Sequence, residues 1–208
     1  MADPARRRTS YAEYLAQEEA ALDKHEWLEG EIRAMTGGKP VHALLGARVV
    51  ATLSAAVGPR GCDVYTSDLR VCIPATGLAT HPDVTVICGP FQGHPEDPDA
   101  ATNPVLLVEV LSPSTELLWD RHGKLLRYQQ LDSLRTYLLV NTRQQLLEWY
   151  SRGEDGGWVY RAAGPGQLAR LDEGVEVDVD ALYATTSVPA GPVPPLFVRE
   201  EEQLGYAD

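Results

Sequence analysis

Between Val105 and Leu111 the chain reads Val-Leu-Leu-Val-Glu-Val-Leu, an aliphatic run broken only by the acid Glu109. A segment this short and this apolar has the pattern of a central strand covered on both faces. A domain built around it needs helices or a further sheet on either side, so the expected class is mixed α/β. An ionised carboxylate inside such a strand is costly to bury without a partner. Either Glu109 pairs with a core arginine or hydroxyl, or it belongs to a site.

The rest of the chain supplies elements of the right kind. Ser10-x-x-Glu13 is a capping box, and Tyr11, Tyr14, Leu15 and Leu22 recur near helical spacing, which predicts a peripheral helix over 10–22. Residues 25–35 read as a strand or hairpin limb ended by Gly37-Gly38. Pro40 then opens a helix with Val41, Leu44, Leu45, Val49, Leu53 and Ala56 on its buried side, stopped by Gly58-Pro59. Segments 63–73 and 83–88 are rich in β-branched residues and read as strands, whereas 89–104 is a Pro- and Asp-rich loop. From 114 to about 131 the period is helical, with Leu117, Lys124, Tyr128 and Leu131 on one stripe. Short strands at 137–140, 146–151, 158–162 and 175–179 form a meander separated by Gly-rich turns. The expected organisation is a flexible tail over 1–9, one domain over 10–185, and a Pro-rich, acidic tail over 186–208.

Charge and composition narrow the function classes. With 18 Lys and Arg against 30 Asp and Glu among 208 residues, the net charge is −12. That argues against broad adhesion to nucleic acid, which relies on cations replacing counterions at the phosphates, but leaves room for a local cleft. The longest uncharged stretch, 181–198, contains Pro189, Pro192, Pro194 and Pro195 and does not suit a membrane span. Arg6–Arg8 precede polar residues rather than the apolar run of a signal peptide. A cytoplasmic protein without membrane association is expected. Cys62, Cys72 and Cys88 form no C-x-x-C pair, so neither a disulfide nor a zinc site is expected and all three read as small buried hydrophobes. No G-x-S-x-G, P-loop or G-x-G-x-x-G is present.

The strand in Pro82-Asp83-Val84-Thr85-Val86-Ile87 carries its own acid at its start. Adjacent to Val105–Leu111, it would present two carboxylates, Asp83 and Glu109, to one point. Two hard oxygen donors suit Mg²⁺ or Mn²⁺, completed by water and a substrate phosphate. Asp after Pro is also ordinary turn chemistry. Lys124 falls on an apolar stripe, where its ammonium either snorkels to solvent or serves a site by orienting a metal-bound water and steadying developing charge.

Several segments together resemble the Uma2 family (DUF820), classed with restriction endonucleases in the PD-(D/E)xK nuclease superfamily. They are 26–32 (Glu-Trp-Leu-Glu-Gly-Glu-Ile), His42, 65–71, 81–86 (His-Pro-Asp-Val-Thr-Val), 106–115 (Leu-Leu-Val-Glu-Val-Leu-Ser-Pro-Ser-Thr), and 120–124 followed by Tyr128. The resemblance runs in order from about residue 11 to 183. It implies a restriction-endonuclease-like core, a mixed sheet with flanking helices, and a divalent ion, Mg²⁺ or Mn²⁺, held by Asp83 and Glu109. In the superfamily pattern a lysine sits two residues after the acid, and here that position is Leu111. The family's relocated lysine matches Lys124, its early acid matches Glu26, with Glu29 and Glu31 as alternatives, and a recurrent histidine matches His42. Asp68 matches a Ser-Asp dipeptide that a turn or ion pair explains equally well, and His122-Gly123 depart from the usual Gly-Glu. The implied activity is endonucleolytic hydrolysis of DNA, with Asp83, Glu109, Lys124, Glu26 and His42 as site residues. Arg6–Arg8, Arg121, Arg127 and Arg135 either supply phosphate contacts or form a solvated surface, and a mobile tail suits the N-terminal triplet better. The alternative is a nuclease fold kept as a dimeric interaction module, which Leu111 and the −12 charge favour. Trp149, Tyr150 and Trp158 would suit a homodimer face or, equally, the core.

Overall fold

The computed structural model describes residues 8–35, 38–111 and 123–194. The first helix, α1 (Tyr11–Ala20), starts where the capping box places it: the Ser10 hydroxyl accepts from the Glu13 N–H, and the Glu13 carboxylate accepts from the Ser10 N–H. The following segment is a complete hairpin, β1 (His25–Leu28) and β2 (Glu31–Ala34). Its two-residue turn is Glu29-Gly30, with φ of 48° and 93°. Positive φ at both positions matches the strands' right-handed twist. Helix α2 (Pro40–Val57) buries Leu45, Val49, Leu53 and Val57, one residue per turn along a single row. Leu44, expected on that face, stands about 100° off the row and is 41% exposed.

Two six-stranded sheets carry the domain. Strands β3 (Cys62–Thr66), β4 (Val71–Ile73), β5 (Leu78–Thr80), β6 (Val84–Cys88), β7 (Gly93–His94), β8 (Asp97–Ala101), β9 (Leu106–Leu111), β10 (Thr136–Asn141), β11 (Leu147–Arg152) and β12 (Trp158–Ala163) follow in chain order. One sheet has the order β2-β1-β5-β4-β8-β7 and the other β12-β11-β10-β9-β6-β3. A small pair, β13 (Leu168–Arg170) and β14 (Glu176–Asp178), leads into α4 (Val179–Tyr183). The expected mixed class is therefore present; of the expected C-terminal meander, β10-β11-β12 form it, whereas the strand expected over 175–179 is β14, which pairs with β13 in a separate sheet.

Three expectations are corrected. Segment 63–73 is not one strand: a turn in which the Leu69 N–H donates to Thr66 O (3.1 Å) splits it into β3 and β4, which join different sheets. Segment 89–104 is not a plain loop but contains the β7–β8 pair, whose polar Asp97 is buried beneath Arg70 Nε at 2.7 Å and the Tyr11 hydroxyl at 3.0 Å. Its buried ion pair hid it from a reading based on apolar alternation. Finally, Cys62 and Cys88 stand opposite each other in the β3–β6 register and form a disulfide, leaving Cys72 as a buried free thiol. Odd cysteine count carried no information about that pairing, which depends on register. Alkylation of the denatured protein should accordingly label one cysteine before reduction and three after it; three labels without reductant would contradict the pairing.

The core has two compartments on the two faces of the β9 sheet. On one face Val108 and Val110 of β9 meet Leu45, Val49 and Leu53 of α2, together with Leu138, Val140 and Trp149. On the other, Leu107 and Leu111 meet Leu28, Ile73 and Leu78 of the second sheet and Leu125, Tyr128 and Leu131 from the α3 (Leu125–Tyr128) region. Trp149 thus belongs to the interior. Helix α2 with its following turn, 40–60, has a mean hydropathy of 1.5 and is long and apolar enough to cross a membrane by composition alone. Its Leu45–Val57 row has a use in the core, as in any central helix packed on a sheet.

Candidate functional site

Strand β9 is flanked by β6, antiparallel, and β10, parallel, and all six of its residues are buried. Side chains alternate along it, so Glu109 shares the face of Leu107 and Leu111, turned towards the second sheet. The β6–β9 register pairs Val84 with Val108. One step further, Asp83 stands beside Glu109. The Asp83 carboxylate accepts a hydrogen bond from the Val110 N–H at 2.7 Å, which ties the aspartate to the strand bearing the glutamate.

The other sheet brings a third acid. Trp27 pairs with Ala79 in the β1–β5 register, which puts Glu26 opposite Thr80. The Thr80 hydroxyl donates to Glu26 Oε1. Lys124 joins the two sheets, with its Nζ 2.8 Å from Glu26 Oε1 and 2.9 Å from Glu109 Oε1. Tyr128, one turn along, donates from its hydroxyl to the same Glu109 oxygen at 2.8 Å. Glu26, Glu109 and Lys124 are 7%, 5% and 3% exposed, so the lysine does not snorkel to solvent but reaches inward. Leu111, at the position of the superfamily lysine, is fully buried on the Glu109 face, and the ammonium enters the same space from the helix side.

His42 occupies the first turn of α2, and its Nε2 lies 3.3 Å from Asp83 Oδ2. A neighbouring glycine makes this possible: a Cβ at Gly38 would lie 2.6 Å from His42 Cγ and Nδ1. Asp68 sits apart from this group. Its carboxylate is 2.6 Å from Lys24 Nζ, and that contact holds it below the usual carboxylate range. Of the expected residues, Glu26, Glu109 and Lys124 form one hydrogen-bonded unit and Asp83 with His42 an adjoining one. Arg127 caps its own turn at Gly123 O, while Ser112–His122 and Arg6–Arg7 lie outside the described residues. Thr80, Tyr128 and Gly38 were missed as site residues. Only Tyr128, four residues after Lys124, had a helical-spacing signal.

Among the described residues no three His, Cys, Asp or Glu side chains converge as a ready metal cage. The donor set nevertheless suits Mg²⁺, which keeps several waters and commonly takes only one or two carboxylates. Glu26 and Glu109 both contact Lys124, and Asp83 lies one register step from Glu109, so the described acids bring more negative charge here than one lysine offsets, which favours a divalent cation.

Close to Asp83, His81 is buried with neither ring nitrogen hydrogen-bonded to a described residue; the carboxylate of Glu18 is 3.8 Å away. Burial, reinforced by Arg70 and Lys24, pushes its pKa down from 6.5 to about 4. The folded protein therefore refuses a proton that the unfolded chain accepts below pH 6.5, and stability falls as pH drops from 6.5 towards 4. The loss should reach about 3 kcal/mol at the acid end. Denaturant titrations in chelator across this range should show the slope for the wild type and a flatter one for His81→Asn; equal slopes would contradict it.

Comparison with known proteins agrees with this architecture. The sequence profile of the Uma2 family, described as "Putative restriction endonuclease", matches residues 11–184. The uncharacterized protein slr1290 of Synechocystis sp. is 36% identical over 174 residues, covering 82% of this chain and 89% of that one. A second uncharacterized Synechocystis protein, sll1609, is 32% identical over 148 residues, covering 71% and 83%. The crystal structure of a "putative nuclease belonging to DUF820" from Anabaena variabilis superposes with a TM-score of 0.66 at 15% identity, over 83% of this chain and 96% of that one. At that identity the superposition speaks for the fold.

Proposed function

The chain belongs to the Uma2 family, and from that premise we propose that it hydrolyses DNA phosphodiester bonds with a divalent ion, Mg²⁺ or Mn²⁺, held by Asp83 and Glu109. The observation that supports the reading is the β6–β9 register, which pairs Val84 with Val108 and so brings Asp83 next to Glu109, the acid that Lys124 contacts. A bound ion would polarise a phosphoryl oxygen and lower the pKa of a coordinated water. The chain's own groups do the rest. Asp83 is oriented by the Val110 N–H and by His42. Lys124 is fixed between Glu26 and Glu109, poised to orient the attacking water or to stabilise charge on the phosphoryl group. Glu26, Tyr128 and His42 act as positioning residues, since they touch the acids and the lysine rather than the scissile bond.

The test is incubation of plasmid and of labelled single- and double-stranded oligonucleotides with Mg²⁺ or Mn²⁺, with EDTA controls, for the wild type and Glu109→Gln. Metal-dependent cleavage lost in the variant is expected. Cleavage that survives EDTA or the Glu109→Gln substitution would contradict the reading. The burial of Glu26, Lys124 and Glu109 also favours a second reading, in which their bridge locks the two sheets of a nuclease fold serving as a dimeric interaction module. Absence of cleavage and of ion binding in a folded protein would support that one.

A further inference from the structure

A cleft of about 560 Å³ opens beside Asp83 and His42 and runs along α2. Its volume lies within the ~300–1,000 Å³ of small-ligand pockets. From this cleft we infer that an unpaired nucleobase seats next to the scissile phosphate, so that the substrate is single-stranded DNA rather than regular duplex. The inference deepens the nuclease reading and rests on it for the position of the phosphate.

Charge decides which part of a nucleotide the cleft accepts. Among the described lining residues Lys24 is the one Lys or Arg, its ammonium is already 2.6 Å from Asp68, and Asp23 and Asp83 line the same space. A duplex-binding surface needs several cations at the phosphates. This lining has acids instead, so the phosphates stay outside it. What it offers suits a base. Ala43, Gly46, Ala47 and Val50 give the α2 wall an apolar surface, and Leu22, which also lines the cleft, is fully exposed. Thr66 and Ser67 bring hydroxyl side chains, and the pairing of Thr66 with Val84 puts them next to Asp83. Apolar contact with the faces of a base and hydrogen bonds to its edge are how enzymes hold a nucleotide taken out of its stack.

Gly46 is a separate indication. It lies inside a helix, where glycine costs roughly 0.5–1 kcal/mol relative to alanine. Among the described residues nothing requires it, because a Cβ there would meet no atom of theirs within 4 Å. The open space is the cleft itself. A larger side chain at this position projects into the cleft from a Cβ that meets no atom of the described residues.

The test is fluorescence anisotropy of a fluorescein-labelled 12-nucleotide single strand and of the same sequence as a duplex, in Ca²⁺ so that binding is read without turnover. The wild type should bind the single strand at least tenfold more tightly than the duplex, and Gly46→Leu should lose at least tenfold in single-strand affinity while melting no lower than the wild type. Equal affinity for both DNA forms, unchanged single-strand binding by Gly46→Leu, or no binding of either form would overturn the inference. Should the variant fail to fold, cross-linking of a 4-thiothymidine single strand to the wild type replaces it: adducts on the peptides carrying Leu22 or residues 42–50 are expected, and adducts confined elsewhere would overturn it. A wild type that binds single strands in this way yet cleaves no DNA with any metal would sink the nuclease reading and leave the cleft assignment standing.

Discussion

Replacing Lys124 with alanine lowers the free energy of unfolding by about 3–5 kcal/mol, because it removes a buried ammonium that two buried carboxylates share. Glu26 and Glu109 come from different sheets, and the ammonium lies within 2.9 Å of both. Among the described residues the Thr80 and Tyr128 hydroxyls also donate, each to one acid, and bring no positive charge. Removing the charge on all three groups is a different experiment. The triple substitution Glu26→Gln, Glu109→Gln, Lys124→Met should recover most of the loss, since apolar or neutral replacements of a complete buried ion pair are often tolerated. Urea unfolding of both proteins checks the pair of outcomes. A cost below about 1 kcal/mol for Lys124→Ala would put the ammonium in solvent and break the account of the bridge.

Asp83→Asn should lower the rate of DNA cleavage by at least about 10³-fold, the scale of losing a principal electrostatic contact to the reacting group. Stability should change by less than about 1 kcal/mol, as for substitutions that keep a local hydrogen bond. The asparagine carbonyl oxygen can still accept from the Val110 N–H, the bond that fixes this side chain to β9. The side chain is also 19% exposed, so a neutral amide there is not forced into a dry interior. Activity and stability therefore separate at Asp83 and fall together at Lys124. Steady-state cleavage beside urea melts reads both; a large drop in stability for Asp83→Asn would make the aspartate a structural residue.

The difference between those two variants reflects what was legible in the sequence. Glu109 in its aliphatic strand announced both its burial and its need for a partner, because a strand covered on both faces leaves a charge no route to water. Lys124 was readable from its stripe with Tyr128 and Leu131, all three of which the structure buries. The identity of the partner was not readable. Glu26 reaches Lys124 because β1 pairs with β5 in a sheet whose order, β2-β1-β5-β4-β8-β7, follows no local pattern. Thr80 was hidden for the same reason, in a three-residue strand too short to show alternation. The Cys62–Cys88 pair likewise depends on a register 26 residues apart in sequence. The hairpin turn at Glu29-Gly30 was local and still passed unnoticed, since a glutamate at positive φ is an uncommon turn former.

If Asp83 and Glu109 together hold a divalent ion, calorimetric titration of Mn²⁺ into the wild type beside Asp83→Asn reads it without knowledge of the substrate. Saturable binding of one ion by the wild type, lost in a folded Asp83→Asn protein, is expected. Saturable binding that persists in the variant, or a folded wild type that binds no ion, would contradict it.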